Sequence, residues 1–182
     1  MAAICVFCGS SSTLEQRWLD LAAETGRALG ERGHTLVSGG GCVGMMGAVA
    51  DGARAGGAHT LGIIPQCLVD WEVADTSSDE LVVTDDMAAR KNLMIDRSDA
   101  FLTLPGGLGT LDELFEVWTT SALEVHRKPI VVLDPDGFYD GLISWLNGLV
   151  ATKFVRPAVM DTVLVARSVP EALDTIEAAL AG

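Results

Sequence analysis

The sequence predicts an α/β protein of the Rossmann-like, doubly wound type, with a mostly parallel sheet and helices on both faces. Short apolar runs alternate with stretches of helical periodicity along the whole chain, which is the pattern of consecutive βαβ units. The runs are apolar at successive positions, as strands buried on both faces must be. Several of them end in glycine-rich turns that lead into helices. A length of 182 residues with 49% hydrophobic content suits one domain with a sizeable core, so residues 1–182 are read as a single α/β domain.

Taken in order, Ala3 to Cys8 is an apolar run before a Gly/Ser turn and predicts the first strand. Ser12 and Glu15 then have the spacing of a capping box, and Leu14, Trp18, Leu21, Ala22, Thr25, Ala28 and Leu29 recur at helical spacing as far as Gly33. His34 to Ser38 predicts a strand, Gly44 to Ala55 a helix and Thr60 to Ile64 a strand stopped by Pro65. Residues 66–79 lack periodicity and read as a ligand-covering loop. Strands follow at 81–84 and 100–104, helices at 86–97 and 111–126. Pro129 to Leu133 is the next strand and Phe138 to Ala151 a helix. A last strand at 162–166 precedes a closing helix from Pro170, a residue suited to a first helical turn.

Charge and cysteine content narrow the functions. A net charge of −13 opposes nucleic acid and anionic membrane as partners. No apolar stretch is long enough for a bilayer span, and the start lacks the basic region of a secretion signal, so the expectation is a soluble, cytoplasmic protein. Cys5, Cys8, Cys42 and Cys67 read as reduced thiols, and His34, His59 and His126 have no metal-ligand spacing, so neither metal nor cofactor is expected.

The stretch from Pro105 to Glu113 carries the most chemistry. A buried strand ends in Pro105-Gly106-Gly107-Leu108-Gly109-Thr110, which opens a helix. Such a turn bares main-chain N–H groups at the positive end of a helix dipole and can hold a phosphate without a basic side chain. Thr110 adds a hydroxyl, or caps the helix. Glu113 completes a capping box with Thr110, or faces the ligand as a catalytic carboxylate, and the spacing alone allows both. Asp112 reads as a surface acid complementing the dipole. Gly39-Gly40-Gly41 after the second strand either contact the ligand or pack two backbones closely. Arg90 and Lys91 are neighbours on a helix, about 100° apart, so both cannot face one point. Met45, Met46, Met87, Met94, Trp71 and Trp118 either line a base pocket or belong to the core.

Four blocks, Cys8–Ser12, Ser38–Gly47, Met87–Lys91 and Pro105–Glu113, together resemble the Lonely Guy family of cytokinin riboside 5′-monophosphate phosphoribohydrolases. Its pattern contains PGGxGTxxE and an upstream MxxRK. The resemblance runs from about Ile4 to about Phe154. It implies hydrolysis of the N-glycosidic bond of adenosine 5′-monophosphates, N6-modified forms included, with Arg90 and Glu113 catalytic. Glu72, Lys91, Ser10, Gly40, Gly41, Gly106, Gly107, Leu108, Gly109, Thr110 and Thr119 are its implied substrate-binding residues, and a homodimer is its implied assembly. A non-catalytic nucleotide-binding sensor or carrier is the alternative. Members have also carried the label lysine decarboxylase. That chemistry with pyridoxal phosphate needs a Schiff-base lysine, and Lys91, Lys128 and Lys153 lack the setting for one.

Overall fold

The computed structural model describes residues 1–71 and 73–182. Seven strands form one sheet: β1 (Ala3–Phe7), β2 (Thr35–Ser38), β3 (Thr60–Pro65), β4 (Glu80–Thr84), β5 (Ala100–Thr103), β6 (Ile130–Leu133) and β7 (Val163–Ala166). Their spatial order is β4-β3-β2-β1-β5-β6-β7, and every pairing is parallel. The first four strands are laid down outward from β1; the chain then crosses back and adds β5, β6 and β7 on its other side. The order therefore reverses between β1 and β5, and at such a point the loops leaving the two strands part to open a crevice.

Helices cover both faces, which is why the strands are apolar throughout. Ile4, Val6, Leu36, Leu102 and Val131 point to one face and pack with residues of α1 (Gln16–Glu31), α2 (Gly44–Ala55) and α8 (Val169–Ala181). Cys5, Phe7, Val37, Phe101 and Val132 point to the other, against α4 (Met87–Asp96), α5 (Leu108–Ala122) and α6 (Asp140–Ala151). The alternation of the strand pleat divides the core into these two layers. Two single-turn helices, α3 (Gln66–Val69) and α7 (Pro157–Met160), complete the chain, and no helix among the described residues is long and apolar enough to cross a membrane.

Three local expectations are corrected. The first helix begins at Gln16, and Ser12 does not cap it; Ser11 Oγ instead accepts from Thr13 N at 3.3 Å. This local turn competes with helix formation and leaves residues 9–15 outside the helix. The segment read as an irregular loop contains α3, and Pro65 forms the last residue of β3. The helix after β5 starts at Leu108 with Gly107 as N-cap, so Thr110 lies inside the first turn and does not occupy the capping position of a capping box with Glu113.

Contact between α1 and α2 depends on absent side chains. A Cβ on Gly26 would lie 2.1 Å from Val49 O, and one on Gly52 would lie 2.2 Å from Ala23 O. Both clashes are with main chain, which cannot swing aside. Gly52→Ala is therefore expected to destabilise by about 1–3 kcal/mol through overpacking, more than the roughly 1 kcal/mol that helix propensity returns. A urea midpoint that is unchanged or raised would contradict this packing.

Candidate functional site

The loops leaving β3, β2, β1, β5 and β6 surround one cavity of about 660 Å³ at the carboxyl edge of the sheet, a volume ordinary for a small-molecule site. Its walls are mostly apolar. From β1 come Cys8, Gly9, Ser10 and Ser11; from β2, Gly39, Gly41 and Val43; from the segment after β3, Leu68, Trp71 and Val73. The turn from Pro105 to Thr110 forms another side, and Met87, Arg90 and Glu113 enter from α4 and α5. The loops are tied to each other: Gly9 N donates to Pro105 O at 3.2 Å, and Met45 N donates to Gly9 O at 2.9 Å.

Arg90 is buried although it is charged. Asp86 caps α4 by accepting from Ala89 N at 2.8 Å, which fixes the first turn of the helix that carries Arg90. The Arg90 guanidinium donates from Nε to Ile63 O at 3.1 Å and from Nη2 to Gly39 O at 3.4 Å. The same Nη2 lies 3.3 Å from Glu113 Oε1. A Cβ on Gly39 would fall 1.8 Å from that nitrogen, so the residue after β2 must be glycine if Arg90 is to reach this position. Among the described residues Nη1 has only the Met87 sulfur as partner, at 3.9 Å, and a thioether is a weak acceptor.

Glu113 stands on the second turn of α5 with its side chain 11% exposed. Burial pushes its carboxyl up from the ordinary value near 4.5 to about 7, against the pull of Arg90 and with help from Asp112. A carboxyl poised there can hold or release a proton near neutral pH.

The start of α5 is an anion site in form. The amides of Leu108, Gly109 and Thr110 precede the first intrahelical bonds, so they lack helical acceptors. Its glycines have different reasons. Gly106 is dictated by packing, because a Cβ there would meet Thr110 Oγ1 at 2.1 Å, whereas a Cβ on Gly107 or Gly109 would meet no atom of the described residues within 4 Å. The chain itself does not need glycine at those two positions.

The structure thus gathers Arg90, Glu113, Ser10, Gly41, Gly106, Gly107, Leu108, Gly109 and Thr110 around one cavity. Three other expected residues are not among its lining. Lys91, displaced around α4 from Arg90, pairs with Asp112 at 3.0 Å and with Glu116. Gly40 has φ +69° and packs on Ile63 and Ile64 of β3, which is the close-backbone role. Thr119 is exposed further along α5. Glu72 lies outside the described residues. Trp118 and Met94 are core, whereas Met45, Met46, Met87 and Trp71 line the cavity. Leu14, Trp18 and Phe138 also line it and were not anticipated. No lysine contributes to this wall among the described residues, which removes the Schiff-base setting a decarboxylase would need.

Comparison with known proteins gives a consistent group. Residues 46–176 match a family model described as "Possible lysine decarboxylase". A Mycobacterium tuberculosis protein named cytokinin riboside 5′-monophosphate phosphoribohydrolase is 54% identical over 93% of this chain and 90% of its own. An Arabidopsis thaliana protein of the same name is 41% identical over 96% of this chain and 82% of its own. Among solved structures, the molybdenum cofactor carrier protein of Chlamydomonas reinhardtii aligns with a TM-score of 0.73 and 25% identity, over 99% of this chain and 98% of that one.

The position of Glu113 has a measurable consequence for stability. Its folded pKa, about 7, lies above the unfolded value near 4.5, so the native state binds the proton more tightly and loses stability as pH rises between those values. The loss amounts to about 3 kcal/mol, complete above the folded pKa. Glu113→Gln should remove this component, so the stability of the variant relative to wild type rises from pH 5 to pH 8 in urea titrations. A difference independent of pH would mean that Glu113 is not a buried, titrating acid.

Proposed function

The chain belongs to the Lonely Guy family of phosphoribohydrolases and is a nucleoside monophosphate N-glycosyl hydrolase; on that premise we propose that it releases the base from adenosine 5′-monophosphates, N6-modified ones included, leaving ribose 5-phosphate. The observation that carries this reading is the buried Arg90–Glu113 pair beside the N-terminus of α5. In the proposed complex the 5′-phosphate lies on the amides of residues 107–110 and the ribose between that turn and the pair. The base extends toward the apolar wall of Met46, Ile64, Leu68, Trp71, Val73 and Met87, which suits adenine and a prenyl group on N6.

Breaking the N-glycosidic bond moves its electron pair to the base and leaves positive charge on the ribose ring, as in glycoside hydrolysis. Ionised Glu113 stabilises that charge and accepts a proton from the attacking water, whose oxygen forms the new bond to the anomeric carbon, and the departing base takes up one proton from solvent to leave as the neutral molecule. Arg90, fixed by two main-chain carbonyls, has donors for the departing base or the ribose hydroxyls. The remote phosphate contact supplies binding energy that orients the sugar. A carrier would need the phosphate site but not a carboxyl beside the sugar. The same reading includes a homodimer in the cytoplasm, in which a partner covers the exposed Leu123 and Val125 at the end of α5.

Two measurements test the reading. Chromatography of AMP incubated with the protein should give free adenine. Adenosine without its phosphate should react far more slowly, and Glu113→Gln should lower base release from AMP by about 10²–10⁴-fold. Equal turnover of adenosine and AMP, or a fully active Glu113→Gln, would refute it. Gly109→Ala adds a Cβ that meets no protein atom, so it should leave the thermal midpoint unchanged or higher while raising KM for AMP at least about tenfold, the loss of one charge-assisted contact. An unchanged KM would place the phosphate elsewhere.

A further inference from the structure

The cavity extends beyond what a mononucleotide would fill. Arg90 is held at the ends of β2 and β3, and the phosphate turn follows β5. Past that turn, after β6, Phe138 lines the same cavity with Trp18 and Leu14 of the β1 side. Three strand spacings, about 14 Å in all, separate the ends of β2 and β6. With the sugar at Arg90 and Glu113 and the base on the β3 side, this end of the cavity has no occupant from the substrate. It adjoins the turn directly: the point where Gly9 would carry a Cβ is 3.4 Å from Leu14 Cδ1 and 3.6 Å from Gly106 Cα.

The recess is built firmly. Trp18 and Phe138 meet edge to face with centroids 5.7 Å apart. Arg17 covers Trp18 at 4.3 Å from the ring centroid, and its charge is committed to Glu15 at 3.1 Å and Asp136 at 3.5 Å. Phe138 packs on Tyr139 at 4.9 Å, and Tyr139 Oη donates to Leu104 O at 2.8 Å at the end of β5. Behind both, Asp134 is fully buried and accepts from Phe138 N at 2.6 Å and Tyr139 N at 3.2 Å. Yet Phe138 remains 47% exposed. Two aromatic rings braced in this way, Phe138 open to the cavity and the Arg17 charge over Trp18 already paired with two carboxylates, are preorganised for an uncharged planar group.

We infer that this recess is a second subsite, which takes an aromatic group esterified to the 5′-phosphate of the nucleotide. The protein then binds 5′-phosphodiesters of adenosine whose far partner is an aryl group or a nucleobase, the phosphate straddling the start of α5. The inference rests on the proposed position of the phosphate and sugar, and on nothing about turnover.

The test uses two probes, the phenyl and the methyl ester of AMP, which have the same charge and differ in the ring. Calorimetry with the wild-type protein should show the phenyl ester bound roughly tenfold more tightly, the size of one aromatic stacking contact. Phe138→Ala, and separately Trp18→Leu, should bring the ratio of the two dissociation constants close to one. Taking the ratio within each protein cancels any effect on the shared adenosine phosphate. Equal binding of the two esters by wild type, or binding of neither, overturns the subsite. So does a phenyl preference that survives both substitutions, and so does a Phe138→Ala that weakens AMP as much as the phenyl ester, since the base would then occupy the recess. Adenine release from AMP is followed separately: a wild type that discriminates the esters without releasing adenine supports the subsite and refutes the catalytic reading.

Discussion

The site depends on a guanidinium kept out of water. Isolated, a buried cation would cost more than a fold of this size can spare, and Arg90 is tolerated because two main-chain carbonyls and one carboxylate surround it. Each partner makes a demand on the chain. Gly39 must be glycine to let the guanidinium in, β3 must present Ile63 O at its end, and α5 must begin early enough that Glu113 falls on its second turn. Removing one member of such a group strands the charge of the other, which costs several kcal/mol. Cavity geometry and local stability are therefore set by the same atoms, and the crevice between β1 and β5 is held in shape partly by the pair that lines it.

Much of the fold was legible because a sheet covered on both sides has a conspicuous sequence. Runs such as Ile4–Phe7 and Ile130–Leu133 are apolar at every position and are followed closely by glycine, proline or aspartate, so strand–helix alternation and a parallel sheet followed, whereas the spatial order of the strands did not. What escaped was short or local. α3 and α7 have four residues each, too few for a helical period. Ser12 has the spacing of a cap, but the competing turn from Ser11 settles the start of α1 one turn later.

The site was legible where glycine marks a strand end and illegible where a side chain's face decides. Arg90 and Lys91 are adjacent, and only the rotation of α4 sends one toward the cavity and the other to Asp112 and Glu116. Trp18 lies in the apolar stripe of α1 and reads like its core neighbours, yet it lines the cavity beside Leu14 and Phe138. Trp118, equally ambiguous, is core, with its indole N–H given to Val159 O at 2.8 Å. Thr110 and Glu113 have the letters of a capping box, yet Gly107 takes the cap position and the carboxylate is paired with Arg90.

A protein with a net charge of −13 is an unpromising host for a phosphate, and the resolution is one of distance. At physiological salt the Debye length is about 8 Å, so acids on remote surfaces are screened at the cavity, whereas amides in the first turn of α5 would touch the anion. The nearest carboxylates are also partly compensated locally: Lys91 pairs with Asp112 and Glu116 and offsets one of their two charges, and Glu113 is paired with Arg90 and has a raised proton affinity of its own. Lys91, outside the cavity wall, thereby lowers the negative potential at the start of α5, since it pairs with both acids close to that turn. The basic pair divides its work between a cation inside the site and one that shields it.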